Sequence, residues 1–128
     1  MNKLIIDAAS EKIFLMIISN ASIYNITQEN TKINYEKLTI IINDFLSSKN
    51  IKITDINAIY INQGSGSFAG IRNSMSVVKA FNVAKNIDYY CYNLNDFKDE
   101  KDLRHENIPN LCKKYKIKKN LINLVYLS

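Results

Sequence analysis

The stretch Ile56-Asn57-Ala58-Ile59-Tyr60-Ile61-Asn62-Gln63-Gly64-Ser65-Gly66-Ser67-Phe68-Ala69-Gly70 decides the fold. Ile56 to Ile61 is a nearly continuous apolar run bounded by Asp55 and Asn62, the pattern of a strand buried on both faces. All three glycines of the chain fall between Gly64 and Gly70. A chain that otherwise avoids glycine keeps it where a strand turns sharply into a helix, where positive φ or close backbone approach is needed. A helical stretch from about Ile71 to Lys85 follows. Asp88 to Tyr92 then reads as another strand, parallel to the first because a helix of about fifteen residues makes the crossover.

Upstream, the apolar period is that of strands. Leu4-Ile5-Ile6 starts a buried strand, and Asp7 to Lys12 supplies turn chemistry before a second apolar run, Ile13 to Ile18. Ser19 to Ser22 allows a reversal into Ile23 to Thr27, which alternates as a half-exposed edge strand does. These three predict an antiparallel meander. The period then shifts toward 3.6: Tyr35, Leu38, Ile41, Ile42, Phe45 and Leu46 share one face of a helix over about 35 to 48, with Asn34 as its N-cap. Ile40 falls on the opposite side, where a solvated helix prefers a polar residue. The resulting order is strand, strand, strand, helix, strand, helix, strand. That is an α/β, ribonuclease H-like plan built on one five-stranded mixed sheet.

A domain over 1–95 accounts for this pattern, and 96–128 forms a basic C-terminal segment. Asn93 to Asn107 is polar and reads as loop, Asn110 to Lys114 as a short helix opened by Pro109, and the end as strand-like. With 128 residues, 47% of them apolar, there is room for one compact domain that needs neither metal nor disulfides. No apolar run approaches the roughly 18 residues of a membrane span. Asp7 interrupts the N-terminal apolar stretch too early for a signal peptide, so the expected location is cytoplasmic. The net charge of +5 sits in the tail: residues 1–96 hold nine Lys and Arg against eight Asp and Glu, while 97–128 hold eight against four. Ile, Asn and Lys make up 54 residues, a bias that AT-rich codons would produce, so lysine number alone carries no binding argument.

The inventory of chemistry is short. Cys91 and Cys112 read as plain thiols, and with one histidine, His105, in a charged stretch far from both, a zinc site lacks ligands. The glycine loop has the spacing G-x-G-x-x-x-G, which is neither the dinucleotide fingerprint nor the triphosphate loop. It reads as a tight turn, with a phosphate cradle or a partner contact as the other readings. Asp7 closes the first strand, where ribonuclease H-like folds place a metal-reaching carboxylate. Asn62 and Gln63 end the fourth strand without a second acid, so two-metal nuclease chemistry is not expected and Asp7 reads first as a turn former or N–H acceptor. Ser65 and Ser67 lack both the nucleophile elbow and a base, since His105 is expected in a mobile segment. No catalytic set emerges. The run Lys113 to Lys119 could follow a phosphate backbone without reading sequence, or could simply be solvated.

The second helix says more. Its apolar arc passes from Ile71, Met75 and Val78 through Val77 and Phe81 to Ala80 and Ala84, beside which lie Asn73 and Ser76. Small side chains at three- and four-residue spacing let another helix come close. The cover is either the first helix of the same chain or a helix of another protein; with Ile40 facing outward, a two-helix docking surface is the sharper reading.

Gln63-Gly64-Ser65-Gly66-Ser67-Phe68-Ala69-Gly70-Ile71-Arg72 resembles the G-P-G-S-F-T-G-[LIV]-R signature of the TsaB (YeaZ) family, in the actin-like ATPase superfamily. Asp55 to Ile59 and Leu4 to Ala9 are similar to that family's strand segments, in order, and the likeness covers about residues 1 to 95. Ser65, Ala69, Ala8 and Asn34 depart from the usual proline, threonine, threonine and histidine. The length is little over half the usual, as if most of the second subdomain were absent, while Leu124 to Ser128 resembles the family's closing segment.

The resemblance implies a non-catalytic partner of a TsaD-like catalytic subunit, without cofactor or metal. With a TsaE-like ATPase, that complex makes threonylcarbamoyladenosine at position 37 of tRNA, and tRNA is met only through the complex. Helices 35–48 and 71–85 would be the pairing surface, with Ile40, Asn73, Ser76, Val77, Ala80 and Ala84 its contacts and Gly64, Gly66, Ser67, Phe68, Gly70 and Arg72 the signature loop. Self-pairing through the same helices is the alternative when the partner is missing. Two competing classes remain: a degenerate enzyme holding nucleotide at Asp7 and the Gly64 to Gly70 turn, and a basic RNA-binding module.

Overall fold

In a computed structural model, which describes residues 1–20, 22–64 and 69–122, five strands form one sheet in the order β3-β2-β1-β4-β5. β1 (Asn2–Asp7), β2 (Lys12–Ser19) and β3 (Ser22–Glu29) are the antiparallel meander, while β4 (Ile56–Asn62) pairs parallel to β1 and to β5 (Asp88–Tyr92). Leu4, Ile5 and Ile6 are fully buried because β1 lies at the centre with both faces covered. β3, at the edge, stays mostly exposed and alternates. The other edge is not left open: Asn120 N–H donates to Tyr89 O at 2.7 Å, and Lys119 bridges Tyr90.

One face of the sheet presents Leu4, Ile6, Leu15, Ile17, Ile59 and Ile61 to a layer of three helices. These are α1 (Lys32–Glu36), α2 (Leu38–Ser48) and α3 (Ala69–Lys85). The other face presents Ile5, Met16, Ala58, Tyr60 and Tyr92 to Phe97 and to α4 (Ile108–Lys114). Phe97 and α4, from the basic C-terminal segment, therefore form the third layer of an α/β/α stack.

Three expectations change. The first helix starts at Lys32, because Thr31 rather than Asn34 caps it: Thr31 Oγ1 accepts from Asn34 N–H at 3.2 Å. It then breaks at Lys37, whose N–H is shared between Ile33 O and Asn34 O, so that α1 packs on α3 while Leu38, Ile42, Phe45 and Leu46 of α2 are buried. The polar stretch after β5 is not featureless: 3-10 turns at Leu94–Asp96 and His105–Asn107 carry Phe97 into the core. α4 begins two residues earlier than expected, with Pro109 in its first turn, where a missing N–H costs nothing. The strand-like C-terminal end at 124–128 lies outside the described residues. Among the described residues no helix is long and apolar enough to cross a membrane.

Candidate functional site

Three places could carry function, and the topology builds each. The first is the crest where the parallel strands end, the side on which open α/β sheets hold ligands. Asp7 closes β1 there. Its Oδ1 accepts the Ala9 N–H at 3.1 Å, and its Oδ2 lies 2.9 Å from His105 Nε2. A carboxylate only accepts, so Nε2 carries the proton. Burial pushes the Asp7 carboxyl up, yet the hydrogen bonds from His105, the Ala9 N–H and Asn62 outweigh it, and the net pKa is lowered. The His105 ring also stacks on Phe14, with centroids 4.0 Å apart. His105 is thus held, contrary to its expected place in a mobile segment. The segment that looked free is anchored by side chains that sequence distance concealed.

Beside this pair, Gly64 enters the glycine turn at φ 47, with its N–H on Asn62 Oδ1 at 2.8 Å and its carbonyl accepting from Asn93 Nδ2 at 2.7 Å. Ser65, Gly66, Ser67 and Phe68 of the predicted loop lie outside the described residues. Gly70 permits a close approach at the start of α3, because a Cβ there would meet Asn30 Oδ1 at 2.6 Å. Arg72 is exposed. A cleft of about 520 Å³ runs between the β1–β2 turn and the start of α3. Of its described lining residues only Glu11 is charged, a poor wall for a phosphate.

The second place is the outer side of α3. Its inner side buries Ile71, Ser74, Met75, Val78 and Phe81. Ser76, Ala80 and Ala84 are exposed, Val77 is half-buried, and Asn73 is half-buried with its Nδ2 on Ala69 O at 3.2 Å. Ser76, Ala80 and Ala84 are thus left uncovered, whereas Val77 packs against the core, as do Tyr35 and Ile41 of the first two helices. Ile40 on the neighbouring α2 is 59% exposed, as its wheel position predicted. Val83, 78% exposed on α3, was missed by the sequence reading, although it follows Ala80 by three residues and an outward apolar residue at that spacing was the available signal.

The third place is the lysine run. Lys113, Lys114, Lys116, Lys118 and Lys119 are exposed while Tyr115 and Ile117 turn inward. Lys114 pairs with Glu100 at 2.6 Å and Lys119 with Asp88 at 3.6 Å.

No family model matches the chain, and no curated protein does. Among solved structures it is similar to YeaZ from Pseudomonas aeruginosa, with a TM-score of 0.66 and 17% identity over 76% of this chain and 46% of that one. A second, described as an uncharacterized protein with similarity to peptidase YEAZ from Pseudomonas aeruginosa, matches with the same TM-score and identity over 45% of its length. The chain thus spans less than half of these two. Thermus thermophilus RuvC in complex with a Holliday junction substrate aligns with 96% of this chain and 84% of its own, at a TM-score of 0.52 and 10% identity. These likenesses show the fold, which is ribonuclease H-like.

Proposed function

We propose that this chain is a TsaB (YeaZ)-like subunit without catalysis of its own, acting in the cytoplasm. It docks a TsaD-like catalytic subunit and so supports synthesis of threonylcarbamoyladenosine at position 37 of tRNA. In this reading residues 1–95 are the docking domain, and a TsaE-like ATPase joins the assembly. The observation that carries it is the outer side of α3, where Ser76, Ala80, Val83 and Ala84 stand exposed although Val83 alone leaves most of an apolar side chain in water. Small residues at this spacing admit a partner helix at close range, and Val83 and Ile40 gain by being covered. The likeness of fold to YeaZ structures supports the same assignment.

The competing nucleotide reading relies on Asp7, but both of its carboxylate oxygens already hold groups of this chain. Calorimetry with ATP and ADP separates the two: saturable binding at micromolar concentration by the isolated chain would favour the nucleotide reading. The docking reading is tested by co-purification with the TsaD-like protein of the same cell. The wild-type chain retains it, and Ala80→Glu, a change at an exposed position that leaves the circular dichroism spectrum unaltered, does not.

A further inference from the structure

The sheet face opposite α3 carries a groove that the docking reading leaves unused. Tyr60 and Tyr90 are register partners on β4 and β5, so their side chains project from the same face, and their rings stack with centroids 5.0 Å apart and planes 12° apart. They line a cleft of about 470 Å³ beside α4, together with Lys3, Lys113 and Lys116 and, among the described residues, no acidic one. The ion pairs among the described residues leave these three lysines out, whereas Lys114 and Lys119 are engaged. Lys116 reaches its place through a left-handed turn, φ 57, where the chain reverses after α4.

Lys116 and Ile117 also wall a smaller cleft of about 160 Å³ that contains Gln63, Lys118 and one acid, Asp96. The two clefts are therefore neighbours across a single turn of chain. Asp96 Oδ2 accepts the Asn93 N–H at 2.9 Å. Gln63 is 8% exposed with its Oε1 fully buried, so that oxygen backs the smaller cleft without facing a ligand.

These groups match one ligand chemistry. The half-buried Tyr90 ring, backed by Tyr60, offers a stacking surface for a planar base, and the ammonium groups suit phosphates. A cleft of this size admits a nucleotide or two and no double helix. We propose that this groove, running from the Tyr60–Tyr90 pair to Lys116, binds single-stranded RNA. The proposal does not rest on docking through α3, which lies on the other side of the sheet.

Fluorescence anisotropy of the full chain with a labelled single-stranded RNA of about twelve nucleotides tests it. The triple change Lys3→Gln, Lys113→Gln, Lys116→Asn weakens binding by about tenfold or more and lowers the salt slope by about two. Tyr90→Leu, which keeps the groove apolar, weakens it by about fivefold or more, and Tyr90→Phe preserves it. Lys37→Gln, Lys79→Gln, Lys85→Gln removes equal charge from the helix layer and changes affinity by less than about twofold. Melting curves accompany each variant, and the lysine triple decides should Tyr90→Leu unfold. Equal losses from both triples, or none from the groove triple, overturn the proposal. So does displacement of RNA by polyglutamate at matched charge, which would mark an acidic-polypeptide groove, or binding of adenosine monophosphate as tight as that of the oligonucleotide, which would mark a mononucleotide pocket.

Discussion

His105 Nε2 and Asp7 Oδ2 lie 2.9 Å apart, joining positions separated by 98 residues and fastening the third layer of the stack to the end of the central strand. The imidazole is further fixed by its stack on Phe14. Removing it in His105→Ala leaves a partly buried carboxylate short of a donor, and the expected loss is about 1–3 kcal/mol. Urea unfolding measures that loss, and hydrogen exchange should speed up at residues 105–114 while β4 amides stay protected.

The pH dependence of stability should carry the mark of the same pair. The Asp7 carboxyl titrates below its ordinary value of 3.8, because hydrogen bonds to the ionised form outweigh burial. A carboxyl with a folded pKa below the unfolded one contributes stability that is present above the unfolded value and lost as pH falls through the folded one. The stability gap between wild type and Asp7→Asn should therefore be full at neutral pH and shrink below about pH 4. Unfolding curves taken down to about pH 2.5 should show that convergence.

Asn30 and Gly70 form a steric pair. Asn30 Nδ2 donates to Ala8 O at 3.1 Å and Ser10 O at 2.7 Å, and this side chain stands where a Cβ on Gly70 would lie. Gly70→Ala should cost about 1–2 kcal/mol by displacing the amide from both acceptors. In an Asn30→Ala background the same change should cost little, so a double-mutant cycle should be strongly non-additive.

Cys91 and Cys112 should be inert in the folded protein. Burial pushes each thiol up to about 12, with Asp96 and then Cys91 adding to the rise at Cys112. Iodoacetamide at pH 8 should leave both unmodified until denaturant is added, when both react within the same transition; mass spectrometry reads the count.

What could be read from sequence follows physical range. The five strands and their parallel or antiparallel sense were legible because alternation in β3, continuous apolarity in β4 and the glycine turn are local signals. The outward Ile40 was legible for the same reason, since a helical wheel needs only neighbours. The break at Lys37 was not, because it serves the packing of α1 on α3, a contact between distant segments. His105 was misplaced because nothing near it in the chain announces Asp7, and the Tyr60–Tyr90 stack needed the register of two strands separated by α3.

Sedimentation velocity of the purified chain mixed with the TsaD-like subunit of the same cell tests the central claim most directly. The account predicts a one-to-one complex for the wild type and for the Lys3, Lys113, Lys116 groove triple, and two separate boundaries for Ala80→Glu at an unchanged melting temperature. An Ala80→Glu chain that co-sediments as fully as the wild type, or a wild-type chain that never joins its companion, would contradict it.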